Sequence, residues 1–405
     1  MAQVDITQHI VPGRANSAQQ QQKPYVILIS ADGFRWDLAD KYHARHLQQL
    51  RSNGVAAKSM MPSYPSLTFP NHYSIATGLY PAHHGLVDNT FYDKVKNETY
   101  RIGYRKAVED SSYYGGTPLW VLAEQQQMLS ASFYWVGSET AVQGVRPTYY
   151  YRFNDSIDID SRIQAVKNWL TLPEDKRPHL ITFYLPQVDH AEHMYGPDSK
   201  QTEEEVHFID EAVAKMVRTT DSLHLPVNYI FLADHGMLAA DTVHLIPFPA
   251  AIDTTKFRVP DGDVLVHLYA YDQKDVQPTY EALKKQAVDY DVYLAAEVPA
   301  RWHYSASDDR FNRIGDIILV PHAPRSFSFK KGRRQLAGKH GFDNALPDMH
   351  ATFYAWGPAF KQHLQIATFE NVNVYPLIAH ILGLTITGNI DGSLNVLKPV
   401  LTSKQ

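Results

Sequence analysis

Four short stretches of this sequence place acidic and imidazole side chains where they could do chemistry. Asp32 follows the apolar run YVILIS in the stretch ADGFRWD, and Asp189 and His193 form D-x-x-x-H behind LITFYL. Asp234 and His235 close NYIFLA as an adjacent pair, and His340 lies in GKHGF beside glycines that let backbone and ligand approach closely. Singly, each has an ordinary explanation. An aspartate at a strand end caps turns and helices, and D-x-x-x-H says only that two side chains share one face of a helical turn. Together they offer three carboxylates and three imidazoles. Mixed Asp/His donors with open positions suit zinc. A pair of such ions is a recurring device for in-line displacement at phosphorus.

A displacement of that kind needs a nucleophile near Asp32. The segment PSYPSLTFPNHYSIATGLYPAHHGLVDN supplies Ser63, Ser66 and Thr68 ahead of a helical pattern that starts near Pro70. A hydroxyl there commonly serves as a cap, and proline in the first turn fits that use. The same helix end also attracts anionic oxygens, and a coordinated metal makes a hydroxyl a competent nucleophile. His72, His83, His84, His190 and His350 neighbour these positions and are expected in core or supporting roles. Phosphate-binding P-loops and dinucleotide fingerprints are absent.

The elements that must position these groups read as alternating strands and helices. Tyr25–Ser30, Ala131–Gly137, Leu180–Leu185, Asn228–Ala233, Asp316–Val320 and Ala351–Trp356 are continuous apolar runs, as buried parallel strands are. Helical patterns cover Asp37–Arg51, Ile157–Leu170 and Thr202–Leu223. The fold class this implies is α/β, a mostly parallel central sheet with helices on both faces. Ligands then bind beyond the carboxyl ends of the strands, where Asp32, Asp189 and Asp234 fall. Residues 265–336 break the alternation and are expected to form an inserted or peripheral sub-lobe. Residues 1–23, rich in Gln, Ser, Ala and Pro, read as a flexible arm ahead of a catalytic domain over 24–405.

A net charge of -5 argues against a general grip on nucleic-acid duplexes or anionic membranes, and Lys330–Arg334 (KKGRR) is the one basic cluster. With no cysteine among 405 residues, disulfides, zinc–thiolate sites and cysteine nucleophiles are excluded, which suits a bacterial protein in any compartment. No apolar run approaches the roughly 20 residues of a transmembrane helix, and the N-terminus is no intact signal peptide.

Thr68-Phe69-Pro70-Asn71-His72, followed by ATGLYPAHHGLVDN, resembles the signature of the nucleotide pyrophosphatase/phosphodiesterase (type I phosphodiesterase) family of the alkaline-phosphatase superfamily. ADGFRWD, YLPQVDHAEHMYGP, ADHGM, GKHGFDN and PDMHATFYAWGPAFK match in the same order, as in a bacterial single-domain member. The resemblance implies two zinc ions: one held by Asp32, Asp234 and His235 with Thr68, the other by Asp189, His193 and His340. It implies attack by Thr68 to give a phosphothreonine intermediate, then hydrolysis that releases nucleoside monophosphate. Asn89 matches the residue that donates a hydrogen bond to a phosphoryl oxygen. Phe69 and Tyr150 or Tyr151, in PTYYYRFND, match the aromatic pair that sandwiches a base, and Tyr184 is a further wall residue. The expected partner is a small nucleotide or phosphodiester, and the expected location is periplasmic or secreted. Phosphodiesterases for lipid or choline esters, phosphomonoesterases and a binding protein that has lost catalysis are the competing readings. A monoesterase would need further charged contacts, and no arginine stands beside Thr68, although Arg35 is close in sequence to Asp32.

Overall fold

In the computed structural model, which describes residues 6–329 and 335–403, every side chain of Tyr25–Ala31 is buried. The same holds for Val227–Leu232, and nearly so for Leu180–Leu185. Strands without a polar face must be covered on both sides, and these three lie together at the middle of a nine-stranded sheet. Leu180–Leu185, Tyr25–Ala31 and Val227–Leu232 are consecutive parallel neighbours, extended on one side by Ser130–Phe133 and Tyr149–Tyr151, also parallel. On the other side Phe353–Trp356 runs antiparallel, followed by Val55–Ala57 and Leu364–Ile366.

Helices Arg45–Asn53, Ile159–Leu170, Gln187–Tyr195 and Lys200–Asp221 form one packed layer, and Thr68–Thr77, Leu119–Gln125 and Val374–Leu382 form another. The expected α/β class is the architecture found. The pattern read as one helix over Asp37–Arg51 is two, Leu38–Lys41 and Arg45–Asn53, because His43 between them takes a left-handed conformation (φ 54°).

Two expectations change. The run Asp316–Val320 does form a strand, Ile317–Pro321, but in a separate four-stranded antiparallel sheet with Phe257–Arg258, Val266–Ala270 and Tyr290–Leu294. Helix Val276–Gln286 covers this sheet, and Val266, Leu268, Leu283, Val292, Ile317 and Leu319 form its own core. The opposite face of the same strand, Ile318 and Val320, packs into the main core. A period of two thus feeds two cores from one apolar run.

The arm expected to be flexible is tied down over its described part. His9–Ile10 pairs antiparallel with Tyr149–Tyr150 at the sheet edge. The Asn16 amide donates to the carbonyls of Glu174 (2.8 Å) and Arg177 (2.7 Å) and accepts from the Leu129 N–H (2.7 Å). Gln20 donates to Gln126 O (2.9 Å). Polar composition implied nothing to bury; here the polar side chains satisfy backbone groups at loop ends instead. The basic cluster Lys330–Arg334 lies outside the described residues.

Candidate active site

The strands bearing the three carboxylates are adjacent, so their ends converge. Asp32 follows Tyr25–Ala31 directly, Asp234 lies just beyond Val227–Leu232, and Asp189 occupies the first turn of helix Gln187–Tyr195 behind Leu180–Leu185. Gly33 makes the approach possible. It has φ +72°, and a side chain there would sit 3.1 Å from Asp189 Cβ. His193 stands one helical turn after Asp189, His235 follows Asp234, and His340 follows the short strand Gly338–Lys339.

Each of the three imidazoles is oriented by a backbone carbonyl. Nδ1 of His193 donates to Gly338 O (2.8 Å), that of His235 to Gly236 O (2.9 Å) and that of His340 to Ser66 O (2.9 Å). A carbonyl only accepts, so Nδ1 carries a proton and each Nε2 is turned inward, with a lone pair available to a cation in the neutral ring. His193 Nε2 and His340 Nε2 are 3.2 Å apart, and Asp189 Oδ1 is 3.3 and 3.6 Å from them. His235 Nε2 lies 3.0 Å from Asp234 Oδ2 and 3.5 Å from Asp32 Oδ1. Facing lone pairs without a proton between them repel. Asp32 Oδ1, Asp189 Oδ1 and Asp234 Oδ2 are buried and accept no hydrogen bond. This donor set could hold metal ions, and its oxygen and imidazole chemistry fits zinc.

By distance, the ligand atoms fall into overlapping groups: Asp189, His193 and His340; Asp32, Asp189 and His235; and Asp32, His72 and Asp234. His72 enters the last because its Nδ1 is 3.2 Å from Asp234 Oδ2, but that nitrogen is also 3.0 Å from Thr68 O. Its Nε2 is 2.9 Å from Ser30 Oγ, so both ring nitrogens serve the surrounding protein. The electrostatics match the crowding. Burial, then Asp234 and Asp189, push the Asp32 carboxyl well above the usual carboxylate range. At Asp234 burial also raises the pKa, but His235 and His72 outweigh it and hold the group well below that range. Burial, with His235 and His193 beside it, pushes His340 well down.

Thr68 is the first residue of helix Thr68–Thr77, and its Oγ1 lies 3.1 Å from His235 Nε2. Pro70 takes a first-turn position that needs no N–H. The Phe69 N–H donates to Asn89 Oδ1 (3.0 Å), which uses the acceptor end of that amide. Its NH2 end makes no hydrogen bond among the described residues. Thr68 and Asn89 are both half-buried at the rim of the Asp/His cluster.

Residues 26–343 match the family described as type I phosphodiesterase / nucleotide pyrophosphatase. The chain belongs to that family. It is 32% identical over 402 residues to the human ectonucleotide pyrophosphatase/phosphodiesterase family member 1, covering 95% of this chain and 43% of that protein. It is also 32% identical over 405 residues to an uncharacterized pyrophosphatase/phosphodiesterase of Schizosaccharomyces pombe, covering 95% of this chain and 83% of that one. The chain thus spans less than half of the human relative. Among solved structures, the murine ectonucleotide pyrophosphatase/phosphodiesterase 5 superposes with a TM-score of 0.86 at 28% identity, over 93% of this chain and 100% of that one. An inactive threonine-to-alanine variant of the murine protein, in complex with AMP, superposes at 0.87 with 28% identity, covering 94% of this chain and 100% of that one. These relatives come from animals and a fission yeast, and they do not bear out the expected bacterial origin.

In this phosphodiesterase-family chain the aromatic wall differs from expectation. Tyr150 is buried within strand Tyr149–Tyr151, its ring stacked on His9 at 4.9 Å beneath the N-terminal strand. Tyr151 stacks on Phe133 at 4.3 Å in the core. The exposed ring is Phe153, just beyond the strand's carboxyl end, edge-on to Tyr184 at 6.1 Å and to Tyr134 at 5.3 Å. Tyr184 in turn donates its O–H to Asp32 Oδ2 (2.5 Å), which joins the wall to the carboxylates. Phe69 is half-buried with its edge toward Tyr100. The segment PTYYYRFND holds no signal that separates Phe153 from the tyrosines, because nothing in it marks where the strand ends. Arg35 is committed elsewhere, to Asp37 (2.6 Å), Asp348 (2.9 Å) and Met237 O (2.9 Å).

Proposed function

We propose that this chain hydrolyses phosphodiester or pyrophosphate bonds of nucleotides through a covalent intermediate on Thr68, with two zinc ions as cofactors. The observation that carries this reading is the Thr68 hydroxyl 3.1 Å from His235 Nε2, on the rim of a buried Asp/His set whose facing lone pairs call for cations. Asp32, Asp234 and His235, with Thr68, would hold one ion; Asp189, His193 and His340 would hold the other. Bound there, the ions supply Lewis-acid polarisation of the phosphoryl oxygens and neutralise developing charge.

The chain's own residues do the rest. Thr68 Oγ1 forms the bond to phosphorus as the bond to the leaving oxygen breaks, and the threonine proton is lost. Water then attacks the same phosphorus, the bond to Oγ1 breaks, the hydroxyl regains a proton and nucleoside monophosphate departs. The free NH2 of Asn89 donates to a non-bridging phosphoryl oxygen, where preorganised donors count most in the transition state. Phe69 on one side and Phe153 with Tyr184 on the other offer stacking surface to a base.

The murine relative lends support in two ways: its threonine-to-alanine variant is inactive, and its complex holds AMP. The commitment of Arg35 to Asp37 and Asp348 favours a diester, since a monoester brings more negative charge to be met. We take residues 24–405 as one catalytic domain with 265–336 as its peripheral sub-lobe. No helix of the described residues is long and apolar enough to cross a membrane. Of the expected periplasmic or secreted settings, relatives named as ecto-enzymes and venom enzymes support the secreted one. The test compares turnover of a nitrophenyl nucleotide diester, nitrophenyl phosphate and nitrophenyl phosphocholine. Preference for the nucleotide diester is expected; preference for either of the others overturns the substrate assignment.

A further inference from the structure

The loop that carries Asn89 is held from the four-stranded sub-lobe by a directed chain of buried hydrogen bonds. It begins at Gly315, whose N–H donates to His267 Nδ1 (3.2 Å). Only glycine fits there, because a side chain would meet Leu268 N at 2.9 Å and His267 Cβ at 3.0 Å. Since Nδ1 accepts, the His267 proton sits on Nε2, which lies 3.3 Å from the Tyr304 hydroxyl and 3.5 Å from Asp88 Oδ2. Tyr304 then donates to the carbonyl of Val87 (2.6 Å). Asp88 Oδ1 accepts from the Thr90 N–H (3.0 Å), closing the turn around Asn89. His267 and Tyr304 are buried and contact no reacting group, so they act only through this loop.

We propose that His267 and Tyr304 are positioning residues for Asn89, and that this is what the sub-lobe contributes to catalysis. Resting on the reading that Asn89 donates to a phosphoryl oxygen, the inference assigns the donor's aim to residues far from it in sequence. Val87 O and the Asp88 carboxylate fix the backbone on one side of Asn89, and the Phe69 N–H fixes its acceptor end on the other. The NH2 is left with one direction in which to point. Arg313 anchors the same segment farther along, donating to Asp93 Oδ2 (2.9 Å) and to the carbonyls of Gly85 (2.9 Å) and Tyr113 (2.8 Å).

The test is a double-mutant cycle between Tyr304→Phe and Asn89→Ala on the zinc-loaded full chain, with kcat and KM measured on a nitrophenyl nucleotide diester. Zinc content and thermal midpoint are recorded alongside. Removing a whole transition-state donor costs about 10²–10³ in kcat, and misaiming one costs a fraction of that, about tenfold. Tyr304→Phe should therefore lower kcat about tenfold with KM and zinc content unchanged, and should lower it less than about twofold when Asn89 is already alanine. The cycle repeated with His267→Leu, and its rescue by His267→Gln, gives an independent reading if Tyr304→Phe folds poorly. Equal losses in both backgrounds, or no loss in the wild-type background, overturn the positioning role alone. If Asn89→Ala itself leaves kcat unchanged, the proposed role of Asn89 falls and this inference with it.

Discussion

Replacing Phe153 and Tyr150 separately by alanine distinguishes the two aromatic rings that a base could use. Phe153 is 43% exposed and touches the site only through Tyr184, so it has little packing to lose and a stacking surface to offer. Base stacking is worth about 1–3 kcal/mol by truncation, which converts to about a 5- to 150-fold fall in kcat/KM for a nucleotide substrate. Tyr150 is 8% exposed with its ring against His9. Truncating such a ring costs about 3–5 kcal/mol of stability, or on the order of 5 °C in thermal midpoint for a chain this long. Kinetics below the transition should hold within about twofold of wild type. The assay pairs a nitrophenyl nucleotide diester with methyl nitrophenyl phosphate, which shares the leaving group and lacks the base, and adds thermal melts. A nucleotide-selective loss in Tyr150→Ala would refute the reasoning. So would an equal loss on both substrates in Phe153→Ala, which would make Phe153 a support for Tyr184 rather than a surface for substrate.

Thr68→Ala should abolish turnover while metal content and AMP binding persist; near-native activity would move the nucleophile to Ser66, Ser63 or water. Metal analysis of dialysed protein should return two zinc equivalents per chain, and chelation should remove activity and lower the thermal midpoint; full activity with one ion or none would sink the two-metal mechanism. In chelated protein, the Asp32 carboxyl is raised above its ordinary 3.8, so the folded state keeps a proton that the unfolded state releases. Its contribution to stability is therefore present below that value and lost as pH rises toward the folded pKa. Chelated Asp32→Asn should consequently gain on wild type as pH rises from about 4 in denaturant melts, and zinc should abolish the trend. Phosphodiesters should be cleaved far better than the matching monoesters, and a nitrophenyl phosphate rate above that of the nucleotide diester would count against the family activity here.

The clustering of the Asp and His side chains was legible because its information is local. Buried parallel strands announce themselves as unbroken apolar runs, and the fold gathers whatever follows their carboxyl ends, so the sequence alone groups Asp32, Asp189 and Asp234. The failures share an opposite cause. Whether Tyr150 or Phe153 meets solvent depends on where the strand Tyr149–Tyr151 stops and on a strand from the N-terminus covering its edge. Neither appears in the composition of PTYYYRFND. The N-terminal segment looked unable to order because it has little to bury; Asn16 and Gln20 order it by hydrogen bonds to carbonyls more than a hundred residues away. His267 and Tyr304 carry no motif at all. Their meaning comes from contact with Val87 and Asp88, which only the tertiary structure supplies.

The strand Ile317–Pro321, with alternate side chains in two cores, ties the sub-lobe to the body of the protein. A lobe that opens like a lid needs a hinge and a seam that parts cheaply. Here the seam runs through Ile318 and Val320, and drawing each out of apolar contact would cost about 1.5–3 kcal/mol before any hydrogen bond is counted. Tyr304 and Arg313 bridge the same seam with buried bonds to Val87 O and Asp93. Opening along this seam therefore has to break apolar contact and buried hydrogen bonds together.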